Sequence, residues 1–214
     1  KKIENFIFPS CSIMYKSSNK PIMEDDFKEN QDISKKYYGA GHTKVYLEKM
    51  CKFYSNFKRT KHTVIRQSNL YGPHDKYDLE KSHMFGATIC KVYKALENGN
   101  ITVWGTGEEE RDLLYVEDLV DFILIALRNQ VSEFELANCS YGKSFSVNEI
   151  VKKIIYHSGK NISIDYDDTK PTINSKMPIS NKKAFNVFNW KPKISFDEGI
   201  KKTLKWYENN IINQ

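Results

Sequence analysis

A five-residue run, residues 62–66, constrains the fold more than any other feature. It carries Val64 and Ile65, is too short for a helix, and breaks into a polar loop marked by Gly72-Pro73, a strong turn signal. A buried strand that delivers Ser68, Asn69, His74 and Asp75 to one rim is how an α/β sheet places chemistry at its carboxyl edge. The plainer reading is a strand followed by a polar loop whose His74 and Asp75 only shape the turn.

The same pattern recurs along the chain. Residues 2–8, 101–104, 113–116, 134–138 and 162–166 read as further strands, the first ended by Pro9. Helices fall between them. After Lys44, the residues Tyr46, Met50, Phe53 and Phe57 recur at i, i+4, i+7 and i+11 and predict a buried face. Residues 83–96 predict a second helix, and 119–127 a third, capped by Asp118. Ser146-x-x-Glu149 and Ser195-x-x-Glu198 are capping boxes. The second opens a helix with Ile200, Leu204, Tyr207 and Ile211 on one face. Residues 16–35 are polar and read as loop with a short helix at most, and 167–189 are a long polar segment read without a helix. Strands alternating with helices predict βα units and a largely parallel sheet.

Composition limits the function classes. With 214 residues, 40% hydrophobic and 28% charged, the chain fits a soluble globular protein with a sizeable core. No apolar run approaches a membrane span, and Lys1-Lys2 with residues 3–8 is too short for a secretory leader. Cys11, Cys51, Cys90 and Cys139 form no C-x-x-C pair, which predicts reduced thiols in a cytoplasmic protein and neither a disulfide frame nor a metal site. Lys+Arg 33 against Asp+Glu 27 leaves a net charge of +6. The lysines are scattered, so a solvated basic surface or a site for a small acidic substrate fits better than a nucleic-acid partner.

Several motifs together carry a resemblance. They are Asn69-Leu-Tyr-Gly-Pro-His-Asp75, Ser82-His83, Val103-Trp-Gly-Thr-Gly107 with Arg111, Val116-Glu-Asp118, and Asp168-x-Lys170-Pro171. In this order and spacing the chain resembles the later two-thirds of the extended short-chain dehydrogenases/reductases that act on nucleotide sugars. It is most similar to the branch that epimerises and reduces GDP-4-keto-6-deoxy-hexoses. The resemblance implies the later part of a Rossmann-like parallel sheet with a small C-terminal substrate-binding lobe. Residues 1–75 are then the end of the dinucleotide-binding domain and 76–214 the lobe, interleaved with the last strands and helices of the sheet. The family's first βαβαβ half and its G-x-x-G-x-x-G phosphate loop have no counterpart here, which predicts that the chain is part of a longer protein.

The resemblance also implies roles. NADP(H) is the expected cofactor, a GDP-sugar the substrate, and a homodimer through the two long helices the assembly. Lys44 matches the family's catalytic Lys, a cation near a helix start, and His83 its epimerisation His. Asn69 and Leu70, with Lys44 and His83, fall on the cofactor side. Lys91, Trp104, Arg111 and Lys176 fall where diphosphate and base contacts are expected, with Trp104 equally readable as core and Arg111 as a surface ion pair. Cys51 and Cys90 read as core. Three positions depart from the pattern. The catalytic Tyr, four residues before Lys44, is Ala40, either an engineered change or a natural loss. The catalytic Ser falls on Cys11 counting back from Tyr15 and on Ser10 counting back from Pro21. The epimerisation Cys falls on Ile13 or Ser12 by the same two counts. The alternatives are a nucleotide-sugar 4-epimerase or 4,6-dehydratase and a non-catalytic binder. Against a dehydratase, no Thr-Asp-Glu triplet follows Phe8.

Overall fold

The computed structural model describes residues 2–170 and 175–213. Pro171 of the Lys170-Pro171 motif lies outside them. Strand β2 (Lys61–Gln67) is the centre of a three-stranded parallel sheet, flanked by β1 (Asn5–Pro9) and β6 (Phe134–Cys139). Phe6 pairs with His62, and Val64 with Leu136. Thr63, Val64 and Ile65 are β-branched and buried, as suits a strand covered on both faces. Pro9, without an N–H, stands at the last position of an outer strand.

The polar loop expected after β2 is instead a short strand, β3 (Asn69–Tyr71), parallel to β5 (Glu110–Tyr115). Strand β5 also pairs antiparallel with β7 (Ser144–Ser146), and β4 (Asn100–Trp104) runs parallel to β8 (Ser163–Asp167). Ser68 N donates to Cys139 O at the break between β2 and β3, so the chain steps from one sheet into the next without leaving the carboxyl edge.

Helix α1 (Tyr38–Ser55) corrects the first burial expectation. Its buried residues are Gly41, Glu48, Cys51 and Ser55, while Tyr46, Phe53 and Phe57 are exposed and Met50 is half-buried. The aromatic stripe is real, but it faces outward. Helix α2 (Met84–Lys94) and helix α3 (Val116–Asn129) follow the expected pattern. Asp118, however, lies inside the first turn of α3 and is not its cap. Its carboxylate accepts from Lys193 N at 2.9 Å and Ile194 N at 3.2 Å, tying down a later segment.

Helix α4 (Val147–Ser158) opens on the expected capping box. Glu149 N donates to Ser146 Oγ at 3.1 Å, and Ser146 N donates to the Glu149 carboxylate at 2.8 Å. Helix α5 (Lys182–Phe188) stands in the segment read as loop. Ala184 and Phe188, four apart, give it a buried face, where Phe188 and Trp190 pack edge-on against Phe122 of α3. Helix α6 (Phe196–Tyr207) is capped by Ser195, which accepts from Glu198 N. Ile200, Leu204 and Tyr207 are buried, but Ile211 is exposed, because the helix loosens into a π turn over Glu208–Ile212.

Two buried clusters result. Ile65, Leu114, Phe122, Ala137 and Trp190 hold α3 and α5 against the parallel sheet. Tyr71, Phe85, Ile89, Phe145, Ile150, Phe196 and Ile200 join α2, α4 and α6, with Phe145 stacked on Phe196 at 4.3 Å. Between the two lie β3 and β5, whose residues reach both.

Candidate functional site

The site begins with a buried polar knot at the carboxyl edge of β1 and β2. Arg66 and Glu48 are each about 5% exposed. Arg66 Nη2 lies 2.7 Å from Glu48 Oε2, and Arg66 Nη1 donates to Tyr15 Oη and to Glu24 O. Burial pushes the guanidinium pKa down, but the bonds to Glu48 and Tyr15 more than restore it, so the net direction is up. Ser10 Oγ donates to Glu48 Oε1 at 2.5 Å and is fully buried. The Ser10 hydroxyl is thus committed to the knot.

Cys11, half-buried, lies beside Lys44. Burial raises its thiol, and Lys44 opposes the rise. Ser12 is buried and accepts Tyr15 N through its backbone carbonyl. Lys44 stands in the second turn of α1, not the first. Its Nζ donates to Pro9 O at 2.6 Å and sits 4.9 Å from the Phe8 ring centroid. Ala40 is exposed. Tyr38 is 62% exposed, with its ring against His42.

Beyond β3 opens a cleft of about 450 Å³. Asn69, Leu70, His83, Lys91, Trp104 and Arg111 all line it. His83 stands at the N-cap position of α2, and its side chain makes no capping bond. Trp104 is 54% exposed, so it is not core. Lys91 Nζ donates to Thr102 O and lies 5.9 Å from the Trp104 ring; burial lowers its pKa. Arg111 Nη1 donates to Ser175 Oγ at 2.8 Å and to Glu110 O. Burial pushes the Arg111 guanidinium down, while Glu109 and Tyr37 oppose that. Gly105 and Gly107, both at left-handed φ, turn the chain after Trp104. A side chain at Gly107 would meet Tyr166 at 3.1 Å and Asn148 at 3.3 Å.

Six of the sequence candidates therefore share one hollow. Lys44, Cys11 and Ser12 do not line it, and stand at the adjacent ends of β1 and α1. Lys176 does not line it either; it pairs with Glu110 at 3.6 Å, and its backbone N donates to Ser17 Oγ. The sequence reading missed Lys36, Tyr37, Glu80 and Glu109, which do line the cleft. For Tyr37 a signal existed: it stands just before the helix that carries Lys44. Among the described residues no group of three His, Cys, Asp or Glu is placed to hold a metal ion, and no helix is long and apolar enough to cross a membrane.

A parallel sheet with crossover helices, a polar carboxyl edge and a cationic cleft beside it define a Rossmann-like fold. The family model described as "NAD dependent epimerase/dehydratase family" matches residues 1–139, and the chain belongs to that family. GDP-L-colitose synthase of Yersinia pseudotuberculosis is 27% identical over 205 residues, covering 94% of this chain and 66% of that protein. The probable GDP-L-fucose synthase 1 of Oryza sativa subsp. japonica is 29% identical, covering 99% and 64%. Among solved structures, a GDP-L-fucose synthetase from Naegleria fowleri superposes with a TM-score of 0.86 at 21% identity, covering 98% of this chain and 66% of that one. The chain thus spans just under two thirds of these curated relatives.

Proposed function

We propose that this chain supplies the substrate-binding part and the nicotinamide end of an NADP(H)-dependent epimerase/reductase acting on a GDP-4-keto-6-deoxy-hexose, with a GDP-6-deoxy-hexose such as GDP-L-fucose as product. The observation that carries this is the cleft that unites Lys91, Trp104 and Arg111 with His83 and Asn69. Arg111 and Lys91 suit diphosphate oxygens through charge-assisted hydrogen bonds. Exposed Trp104 offers a face for a base. His83, on the wall of the cleft, is the proposed proton carrier beside the keto carbon. Residues 1–75 act as the end of the dinucleotide domain, and 76–214 as the lobe.

The residues present fit the nicotinamide end of such a cofactor. Gln67 Oε1, at the end of β2, is buried and has no hydrogen-bond partner, as an acceptor waiting for an amide donor would be. Lys44, Asn69 and Leu70 stand around that edge and would hold the ribose and ring. When bound, the cofactor supplies a hydride to the keto carbon. Lys44 positions the ribose, and Cys11 orients the carbonyl oxygen, since the other candidate, Ser10, is committed to Glu48. The exposed stripe Tyr46, Phe53 and Phe57 on α1 supports a homodimer through this helix, and four free thiols support a cytosolic location.

A second reading, a nucleotide-sugar binder without turnover, is favoured by Ala40, whose methyl group has no proton to give. The test is NADPH consumption by the full-length protein with a GDP-4-keto-6-deoxy-hexose, alongside calorimetric binding of GDP- and UDP-sugars. Turnover with the GDP-sugar is expected. GDP binding without turnover moves the assignment to the binder. Preference for UDP- or dTDP-sugars moves it to a 4-epimerase or dehydratase.

A further inference from the structure

We propose that Glu109 selects the base of the bound nucleotide, its carboxylate accepting the N1–H and one 2-amino hydrogen of guanine; this rests on the GDP-sugar reading above. Nothing in the fold itself chooses among bases, so the choice falls to individual side chains.

Glu109 lines the cleft and is only 9% exposed. Its neighbours are engaged. The Glu110 carboxylate accepts from Ser144 Oγ and pairs with Lys176, and Arg111 is held by Ser175 Oγ and Glu110 O. The Glu109 carboxylate, by contrast, has no hydrogen-bond or ion-pair partner among the described residues. A buried carboxylate in that state is costly unless a ligand completes it. The charge on Arg111 is near enough to feel it, which offsets part of the cost without supplying a hydrogen bond.

Position along the strand says which part of a ligand arrives there. Glu109 O accepts from Val147 N at 2.9 Å, carrying the pairing of β5 with β7 one residue past Glu110 and Ser146. Alternate residues of a strand share a face, and Leu113, Arg111 and Glu109 all line the cleft. Leu113 is the partner of Asn69. At about 3.3 Å per residue, Arg111 lies about 7 Å from that end and Glu109 about 13 Å. A nucleotide sugar has the same linear order: sugar, diphosphate, nucleoside. With its sugar at Asn69 and His83 and its diphosphate at Arg111, it brings the nucleoside to Glu109, on the turn that begins at exposed Trp104.

The chemistry then distinguishes the bases. Guanine carries N1–H and the 2-amino group side by side, two parallel donors for the two oxygens of one carboxylate, a charge-assisted pair. Uracil and thymine carry one N–H between two carbonyl oxygens, which a carboxylate repels. Adenine sets a bare ring nitrogen beside its amine. The ribose diol, common to all ribonucleotides, is the other pair of donors in reach, and the test separates it from the base.

Wild-type full-length protein and Glu109→Gln are titrated by calorimetry, without cofactor, with GDP, inosine diphosphate, UDP and 2′-deoxy-GDP. Inosine diphosphate keeps the ring of guanine but lacks the 2-amino group. Wild type is expected to bind GDP about 10–100-fold tighter than inosine diphosphate, the scale of a hydrogen bond to a charged group. Glu109→Gln, which turns an amide donor toward the base, should lose about 10–100-fold for GDP and little for UDP, closing that preference. The deoxy nucleotide should follow GDP in both proteins. Equal wild-type affinity for GDP and inosine diphosphate overturns the proposal, whatever the variant does. So does an unchanged GDP affinity in Glu109→Gln, or an equal loss for all four nucleotides in a variant that melts like wild type. A 2′-deoxy penalty present in wild type and absent from Glu109→Gln overturns it too, by assigning the carboxylate to the ribose. A wild type that binds none of the four, or prefers UDP, defeats the GDP-sugar reading itself and the proposal with it.

Discussion

Removing Glu48 tests whether the polar knot, rather than apolar packing, holds α1 on the sheet. Glu48 and Arg66 are buried, and Arg66 spends three nitrogens on the knot: Nε and Nη2 on Glu48, Nη1 on Tyr15 and the Glu24 carbonyl. In Glu48→Leu the guanidinium stays buried without its counter-ion, which costs about 3–5 kcal/mol. That is a large part of the roughly 5–15 kcal/mol that holds a domain together. With a urea slope of about 2 kcal/mol/M, the midpoint falls by roughly 2 M. In Glu48→Leu/Arg66→Met the stranded charge is gone, and only Ser10, Tyr15 and the Glu24 carbonyl lose partners. The double variant should therefore be more stable than Glu48→Leu alone. Urea unfolding followed by the fluorescence of buried Trp190 reads both. A loss below about 1 kcal/mol in Glu48→Leu, or a double variant whose cost is the sum of the two singles, would refute the reasoning. Because Lys44 stands one turn before Glu48, a loosened α1 should also weaken whatever Lys44 holds.

Burial raises the Asp112 carboxyl from its ordinary 3.8 to about 7, even though it accepts from Tyr141 N and Gly142 N. A raised folded-state value means stability fully present below about pH 4 and lost as pH rises through about 7, by roughly 4 kcal/mol at 1.36 kcal/mol per pH unit; Asp112→Asn should flatten that slope in denaturant titrations from pH 5 to 8, and an unchanged slope would count against it. Gly107→Ala must hold φ +73° and press on Tyr166 and Asn148, so a loss of about 1–3 kcal/mol is expected, with weaker GDP-sugar binding by calorimetry because the turn carries Trp104. Replacing Phe53 and Phe57 together by Gln should move the unfolding free energy of this 214-residue chain, read at a dilution where it is monomeric, by less than about 1 kcal/mol, whereas truncating buried Phe residues costs about 3–5 kcal/mol each; a loss in the latter range from the monomer would restore the inward-facing reading of that stripe.

Much of the architecture was legible because the signals were local. The box at Ser146 and Glu149 works within four residues, and its physics does not depend on the rest of the chain. The run from Thr63 to Ile65 is β-branched and apolar, so a covered strand is the low-energy answer wherever it lands. The cleft residues Asn69, His83, Trp104 and Arg111 were found because motif spacing held them in order. What failed was what depends on distant partners. Helix α5 is only seven residues long, and what makes Phe188 worth burying is the distant Phe122, against which it packs edge-on. Asp118 looks like a cap by its neighbours, yet the amides that claim it come from residues 193 and 194.

Helix α1 shows why periodicity can identify a face and still misplace it. Tyr46, Phe53 and Phe57 do share one side, and spacing alone cannot say whether that side meets this chain's own sheet. The decision was made elsewhere, by Arg66. A guanidinium on a central strand must be neutralised by whatever helix crosses it, since a lone buried charge costs more than several exposed aromatics. Glu48 is the residue on α1 that meets Arg66. Once Glu48 turns inward, Cys51 and Ser55 follow at three- and four-residue steps onto the sheet, and Lys44, one turn earlier, is carried to the carboxyl end of β1. The aromatic stripe is left facing outward as a consequence. The same rotation therefore fixes both the place of Lys44 and the exposed face, which is why neither could be read from the helix's own pattern.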